Sequence, residues 1–306
     1  MGKKRILITG SNGLLGQKLI DLLHAHPEVV LIASSRGENK VAAIYPQVPF
    51  VSLDVKERQQ VNQVIEDHRP SHLIHTAAMT NVDQCEAEKE ACWKLNVEAV
   101  RHLVQATEKY GVHLIHLSTD FVFDGNNGPY SEEDEPNPIS YYGESKLAAE
   151  ELVKQSSGRW CIARTMLVYG IVHDYGRSNI VLWVKKNLEE GNPIKVVDDQ
   201  IRCPTLAEDL AQGCWLLVEK EAEGIFHISG QDVLTPYQMA QKVADYFRLD
   251  KSLIQRVDSS TFTQPARRPP RTGFDISKAQ TRLGYQPLPF EEGIKVVARQ
   301  VGKEII

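Results

Sequence analysis

Arg5-Ile6-Leu7-Ile8-Thr9-Gly10-Ser11-Asn12-Gly13-Leu14-Leu15-Gly16 decides the fold of this 306-residue chain. Its apolar run is continuous rather than alternating, as in a short strand buried on both faces. Three glycines follow, and Leu14 to Leu23 then carries helical periodicity. A strand passing through a glycine turn into a helix leaves free backbone amides at the helix N-terminus, where a pyrophosphate can sit. The spacing is GxxGxxG rather than GxGxxG, and glycines also serve ordinary turns. The assignment of residues Gly10, Ser11, Asn12, Gly13, Leu14, Leu15 and Gly16 to a dinucleotide therefore leans on what lies downstream.

Downstream stands Tyr142-Gly143-Glu144-Ser145-Lys146. Residues four apart share a helix face, so Tyr142 and Lys146 meet on one side. An ammonium beside a phenol favours the phenolate, so Lys146 is expected to draw the Tyr142 pKa toward neutrality. Tyr142 is then a proton donor to a carbonyl. Thr119, or Ser118, lies at the end of the apolar run Val112 to Ser118, and its hydroxyl can meet Tyr142 at one carbonyl oxygen. A strand threonine satisfied by backbone is the plainer alternative. Ser145 and Lys146 are adjacent and do not face each other, so they form no nucleophile pair.

Between and beyond these motifs, apolar runs alternate with amphipathic stretches. Strands are read at Arg5–Thr9, Val29–Ala33, Phe50–Leu53, Leu73–Ala77, Val112–Ser118 and Cys161–Thr165, with a helix near Lys56–His68. Their order predicts an α/β protein with a doubly wound parallel (Rossmann) sheet. After about Thr165, prolines become common. Two strands (Ile194–Val197, Ile225–Ser229) and helices at Asn179–Glu190, Leu206–Lys220, Pro236–Phe247, Ile276–Leu283 and Phe290–Val301 point to a smaller C-terminal substrate lobe. The division expected is 1–165 plus about 205–230 for the dinucleotide domain, and 166–204 with 231–306 for the lobe.

The second strand ends Ala33-Ser34-Ser35-Arg36, with no carboxylate to bind a ribose 2′-hydroxyl. Ser35 and Arg36 can hold a 2′-phosphate, so NADP is the expected cofactor, with NAD the alternative. Asp54 either bonds the adenine or caps the following helix. Asn96 is a poor helix former. It bonds backbone or a water leading to Lys146, or simply faces solvent. Arg267, Arg268 and Arg271 lie among Pro265, Pro269 and Pro270, the densest basic cluster, suited to a diphosphate or to a solvated loop.

A formal net charge of −5, with 42% hydrophobic residues, gives no bulk attraction to nucleic acid or an anionic membrane. No apolar run reaches the ~18 residues of a membrane span. Met-Gly-Lys-Lys-Arg at the start does not lead into a signal-peptide core. Five cysteines, with no CxxC, suggest a reducing cytoplasm rather than disulfides. No His, Cys or carboxylate set has metal-ligand spacing, and His113 and His116 point to opposite strand faces. No resident metal is expected.

Further motifs carry a resemblance over nearly the whole chain: Ala77-Ala78-Met79-Thr80-Asn81-Val82-Asp83, Ser118-Thr119-Asp120-Phe121-Val122-Phe123-Asp124-Gly125, Tyr142 to Glu150, Arg164-Thr165, Val168-Tyr169-Gly170, Asp199-Gln200 with Pro204-Thr205, and Arg268-Pro269. They resemble the extended short-chain dehydrogenase/reductases, and within them the dTDP-4-dehydrorhamnose reductases. Phe121 stands where that family usually has tyrosine, Leu167 near its tryptophan, and Gln17-Lys18 where some members carry an acidic dimer contact. The resemblance implies catalysis by Thr119, Tyr142 and Lys146. It implies Val55, Ala77, Ala78 and Asn96 beside the cofactor. It implies Thr80, Val82, Asp120, Phe121, Arg202 and Arg268 beside a nucleotide-diphosphate sugar. The implied reaction is NADPH reduction of a C4 ketone in a 4-keto-6-deoxysugar by a cytoplasmic enzyme, with a homodimer as one arrangement. A sugar-nucleotide 4-epimerase, or a regulatory subunit resembling that of methionine adenosyltransferase, are the alternatives.

Overall fold

A computed structural model describes residues 3–173 and 179–302. Residues 1–2, 174–178 and 303–306, which fall inside the expected domain ranges, lie outside the described residues. The first half runs β1 (Lys4–Thr9), α1 (Leu14–Leu23), β2 (Val29–Ser35), β3 (Phe50–Ser52), α2 (Arg58–His68), β4 (His72–His75), α3 (Val82–Ala87), α4 (Lys89–Trp93), a π-helical turn at Lys94–Glu98, α5 (Ala99–Tyr110), β5 (His113–Thr119), α6 (Tyr141–Lys154) and β6 (Trp160–Thr165). The second half runs β7 (Val168–Tyr169), α7 (Ile180–Glu189), β8 (Ile194–Val197), β9 (Thr205–Leu206), α8 (Ala207–Glu219), β10 (Gly224–His227), α9 (Pro236–Phe247), β11 (Ile254–Val257), α10 (Ser277–Leu283) and α11 (Phe290–Gln300).

Seven strands form one parallel sheet in the order β10-β6-β5-β4-β1-β2-β3. The order reverses between β1 and β4, the crevice where ligands lie in doubly wound sheets. Continuous apolar strands demand cover on both faces. Leu19, Ile20 and Leu23 of α1, Leu210 to Val218 of α8, and Ala279 and Leu283 of α10 bury one face. Val61 and Ile65 of α2, Val100 and Leu103 of α5, and Ala149 and Val153 of α6 bury the other.

The chain leaves the sheet after β6, builds part of a second cluster and returns through α8 to place β10 beside β6. The second cluster joins α7, α9 and α11 over the parallel pair β8 and β11. Thr235-Pro236 starts α9 because the threonine hydroxyl and the Gln238 side chain satisfy each other's backbone amides. One helix expected in the lobe, α10, packs with the sheet-side cluster instead. Among the described residues, no helix is long and apolar enough to cross a membrane, and all five cysteines are free and buried.

Candidate active site

The glycine turn after β1 is held by steric necessity. Gly10 has φ +77°, and a Cβ there would sit 2.7 Å from Thr76 Oγ1 and 2.8 Å from Ala77 N. At Gly16 a Cβ would meet Gly10 O at 2.4 Å, so the first turn of α1 can approach β1 only without a side chain. The amides of this turn open onto a cavity of about 630 Å³ along the strand ends.

Helix α6 carries Tyr142 and Lys146, the pair expected to act on a carbonyl. Ser140 caps it, its hydroxyl accepting from Gly143 N at 3.2 Å. Tyr142, Lys146 and Glu150 are spaced by four and all are buried. Tyr142 and Lys146 line the cavity with Thr119. The Lys146 ammonium donates to Leu117 O at 2.7 Å and lies 3.3 Å from His116 Nε2. Burial lowers Lys146 to about 8, against the pull of Glu150. His116 stacks on His75, and burial with the nearby Lys146 charge pushes both imidazoles well below their ordinary value, so both are neutral.

The expected depression of the Tyr142 pKa is corrected by the structure. Burial raises the phenol well above its ordinary value, and what opposes it is the neighbouring Thr119 hydroxyl, not Lys146. A phenol enclosed between α6 and the strand end loses its hydration, and desolvation of the anion outweighs the ammonium one turn away.

Glu150, one further turn along α6, forms a fully buried ion pair with Arg164 on β6, with Arg164 Nη2 2.7 Å from Glu150 Oε2 and Nε 3.0 Å from Oε1. The Arg164 guanidinium also lies over the Phe123 ring, 5.1 Å from its centroid. This pair fastens α6 to the sheet, a role sequence reading did not find. The signal was available, since Glu150 continues the Tyr142–Lys146 face.

At the end of β5, the Thr119 hydroxyl donates to Asp120 Oδ1 at 3.2 Å and accepts from Phe121 N at 3.2 Å. The other Asp120 oxygen accepts from the Thr272 hydroxyl. Burial raises the Asp120 pKa, while Arg202, 3.9 Å away, opposes it. Asp120 thus ties the strand end to the segment 269–272. Phe121 packs edge-on against Tyr142, centroids 5.5 Å apart.

Several expected residues do line the cavity: Gly10, Gly13, Leu14, Leu15, Ser35, Arg36, Asp54, Val55, Ala77, Ala78, Thr80, Val82, Asp120 and Phe121. Ser11, Asn12, Gly16, Asn96, Arg202 and Arg268 do not. Asn12 instead braces the loop after β2, donating to Glu38 O and accepting from Lys40 N. Asn96 is buried. It accepts from Met79 N and donates to Met79 O and Ser145 Oγ, within 2.9–3.1 Å. Of the readings offered for it, bonding to backbone matches these contacts and a solvent-facing side chain does not. Arg202 spends its guanidinium on Ile201 O, Pro269 O, Pro270 O and Gln200 Oε1. Arg268 forms a two-pronged bond to Asp83 at 2.7 and 3.1 Å. The arginine cluster is therefore partly a device for closing the 266–270 loop onto α3. Asp54 accepts from Lys56 N at 3.0 Å, forming a turn before α2, whose own first residue is Arg58.

Two buried hydroxyls on the cavity wall, Ser118 Oγ and Thr165 Oγ1, have no partner among the described residues. Together with the turn amides they suit the hydroxyl-rich, anionic surface of a dinucleotide. Leu167 also lines the cavity, at φ +40°, a left-handed conformation costly for a leucine. No sequence pattern announced it.

A doubly wound sheet, a glycine turn at its switch point and a Tyr/Lys helix beside a strand-end threonine define an extended short-chain dehydrogenase/reductase. Residues 4–302 match the RmlD substrate binding domain family, and the chain belongs to it. It is similar to methionine adenosyltransferase 2 subunit beta of Mus musculus, 32% identical over 95% of this chain and 86% of that protein. It is 30% identical to dTDP-4-dehydrorhamnose reductase of Aggregatibacter actinomycetemcomitans, over 95% and 97% of the two chains. The solved structure of dTDP-4-dehydrorhamnose reductase from Bacillus anthracis, in complex with NADP, superposes with TM-score 0.85 at 30% identity, covering 97% of this chain and 99% of that one.

Proposed function

We propose that this protein uses NADPH to reduce the C4 ketone of a nucleotide-linked 4-keto-6-deoxysugar, the reaction type of dTDP-L-rhamnose synthesis. The observation that carries the reading is the convergence of Thr119, Tyr142 and Lys146 on the cavity that the glycine turn opens. When bound, the nicotinamide supplies hydride. The Gly10–Gly16 turn holds the pyrophosphate, and Ser35 and Arg36 face the 2′-phosphate. Tyr142 donates its phenolic proton to the sugar oxygen. Thr119 turns its hydroxyl from Asp120 Oδ1 to the same oxygen, so developing negative charge meets two placed donors. Lys146, already anchored on Leu117 O, offers its remaining protons to ribose hydroxyls and to the charge left on Tyr142.

The reading is tested by following NADPH oxidation across a panel of nucleotide 4-keto-6-deoxysugars. Turnover of at least one supports it, and no turnover of any member defeats it. The similarity to the mouse subunit favours a second reading, an NADP-binding regulatory subunit of a methionine adenosyltransferase. Co-purification of a stoichiometric synthetase, with no turnover on the panel, would decide for that reading.

Cofactor choice has its own test. Arg36→Asp places a carboxylate at the end of β2, repelling a 2′-phosphate and accepting from ribose hydroxyls. The ratio of kcat/KM for NADPH over NADH should fall by at least about 10-fold, each factor of ten being ~1.4 kcal/mol. An unchanged ratio removes Arg36 from phosphate recognition.

A further inference from the structure

At the end of the sheet remote from the cavity, three side chains from distant segments converge. His72 opens β4, His113 opens β5 and pairs with it in register, and Glu221 sits in the turn between α8 and β10. Linear spacing gave no metal set because these residues are 41 and 108 positions apart. The distance from His113 to Thr119 along β5 is roughly 20 Å at ~3.3 Å per residue, so the cluster is separate from the active site.

Their potential donor atoms all lie within 4.8 Å of one another. His72 Nε2 is 3.2 Å from Glu221 Oε2, and His113 Nδ1 is 3.8 Å from the same oxygen. Ligands about a tetrahedral ion with bonds of ~2.0–2.1 Å are roughly 3.3 Å apart. Small ring rotations bring the three into that range.

Hydrogen-bond bookkeeping favours a cation here. The Ser71 hydroxyl lies 3.1 Å from Arg5 O, and its oxygen accepts from Arg5 N at 3.0 Å. His72 Nδ1 lies 2.8 Å from the same hydroxyl, whose proton can go to that nitrogen as well as to Arg5 O, since Arg5 O already accepts from Ser71 N at 2.9 Å. His113 is 1% exposed, and neither of its ring nitrogens has a partner among the described residues. A buried donor and acceptor left unmatched call for a ligand.

Two cations share the carboxylate. Lys4 contacts Oε1, and Arg159 Nη1 is 2.9 Å from Oε2. An ion at Oε2 displaces Arg159, which keeps Glu223 Oε1 at 2.8 Å through Nε. Lys4 on Oε1 and Ser71 on His72 act as outer partners that orient the ligands.

We infer that His72, His113 and Glu221 form a site for a divalent transition ion of the zinc class, bracing β4 and β5 to the α8–β10 turn. Imidazole and carboxylate donors at this spacing suit zinc rather than calcium or magnesium, which take all-oxygen shells.

The test is calorimetric titration of the cofactor-free chain with zinc chloride alone. Cobalt(II) chloride is used in parallel as an absorbing probe of tetrahedral geometry. One equivalent should bind per chain, and the thermal midpoint should rise with zinc. His113→Ala should abolish binding. Glu221→Gln, at a partly exposed turn and of equal size, should weaken it at least about 10-fold. NADPH binding should be unchanged in Glu221→Gln, a readout that also confirms its fold. Failure to bind one equivalent, or equal affinity in wild type and Glu221→Gln, overturns the site whether or not His113→Ala folds.

Discussion

Replacing Tyr142 by phenylalanine is expected to lower kcat by about 10²–10⁴-fold, the usual contribution of a placed acid, while NADPH binds as before. The substitution removes one oxygen from a ring that stays packed against Phe121 and the cluster around Cys85 and Cys92. Packing and cavity shape therefore persist, and only the proton is lost. That proton moves only in the transition state, so the loss falls on kcat rather than on cofactor affinity. The raised phenol pKa sharpens the expectation, because the cofactor-free protein holds Tyr142 protonated across the neutral range. Steady-state rates with a turned-over sugar nucleotide, beside NADPH binding by fluorescence, make the measurement. A mutant retaining more than about a tenth of wild-type kcat would remove Tyr142 from the role of acid.

Glu150→Ala is expected to destabilise the protein by about 3–5 kcal/mol, the cost of stranding one member of a buried ion pair. Arg164 is 1% exposed and Glu150 0%. The arginine left behind can reach neither water nor another carboxylate, and its Nη1 already lacks a partner among the described residues. Urea unfolding should show a lower midpoint at unchanged slope. The double replacement Glu150→Leu with Arg164→Met should recover most of the loss, since apolar pairs often substitute for buried ion pairs without penalty. A loss under about 1 kcal/mol in Glu150→Ala, the scale of a surface pair, would show that Arg164 finds other solvation. Because Glu150 shares the face of Tyr142 and Lys146, the single mutant should also lose activity at temperatures where it remains folded.

The sheet was legible in the sequence because each βα unit is a local pattern. Leu14–Leu23, Ile194–Val197 and Pro236–Phe247 coincide with their elements. In the last case a capping box and a proline mark the start. Elements that exist only through distant partners were not legible. β11 is a four-residue strand held by β8, some sixty positions earlier, and β7 with β9 is a two-residue ladder. The same reason hides the functional partners. The Tyr142–Lys146 pair shows in one helix turn. Arg268 with Asp83 is separated by 185 positions and Asp120 with Thr272 by 152. A cluster of arginines beside prolines reads as an anion grip until the fold supplies a carboxylate. The direction of the Tyr142 shift was likewise beyond the sequence, because spacing places an ammonium one turn away but says nothing of how far water is excluded.

The π-helical turn at Lys94–Glu98 constrains how this chain can change in length. There Ala99 N reaches back five residues to Lys94 O, one more than a regular α-helix allows. Deleting any one residue of the turn would restore regular winding and rotate everything before it by about 100° relative to α5. Asn96 would then swing away from Met79 and Ser145, loosening at once the loop after β4 and the helix that carries Tyr142. A stretch of helix, ordinarily among the places tolerant of gaps, here counts its residues as strictly as a strand in register.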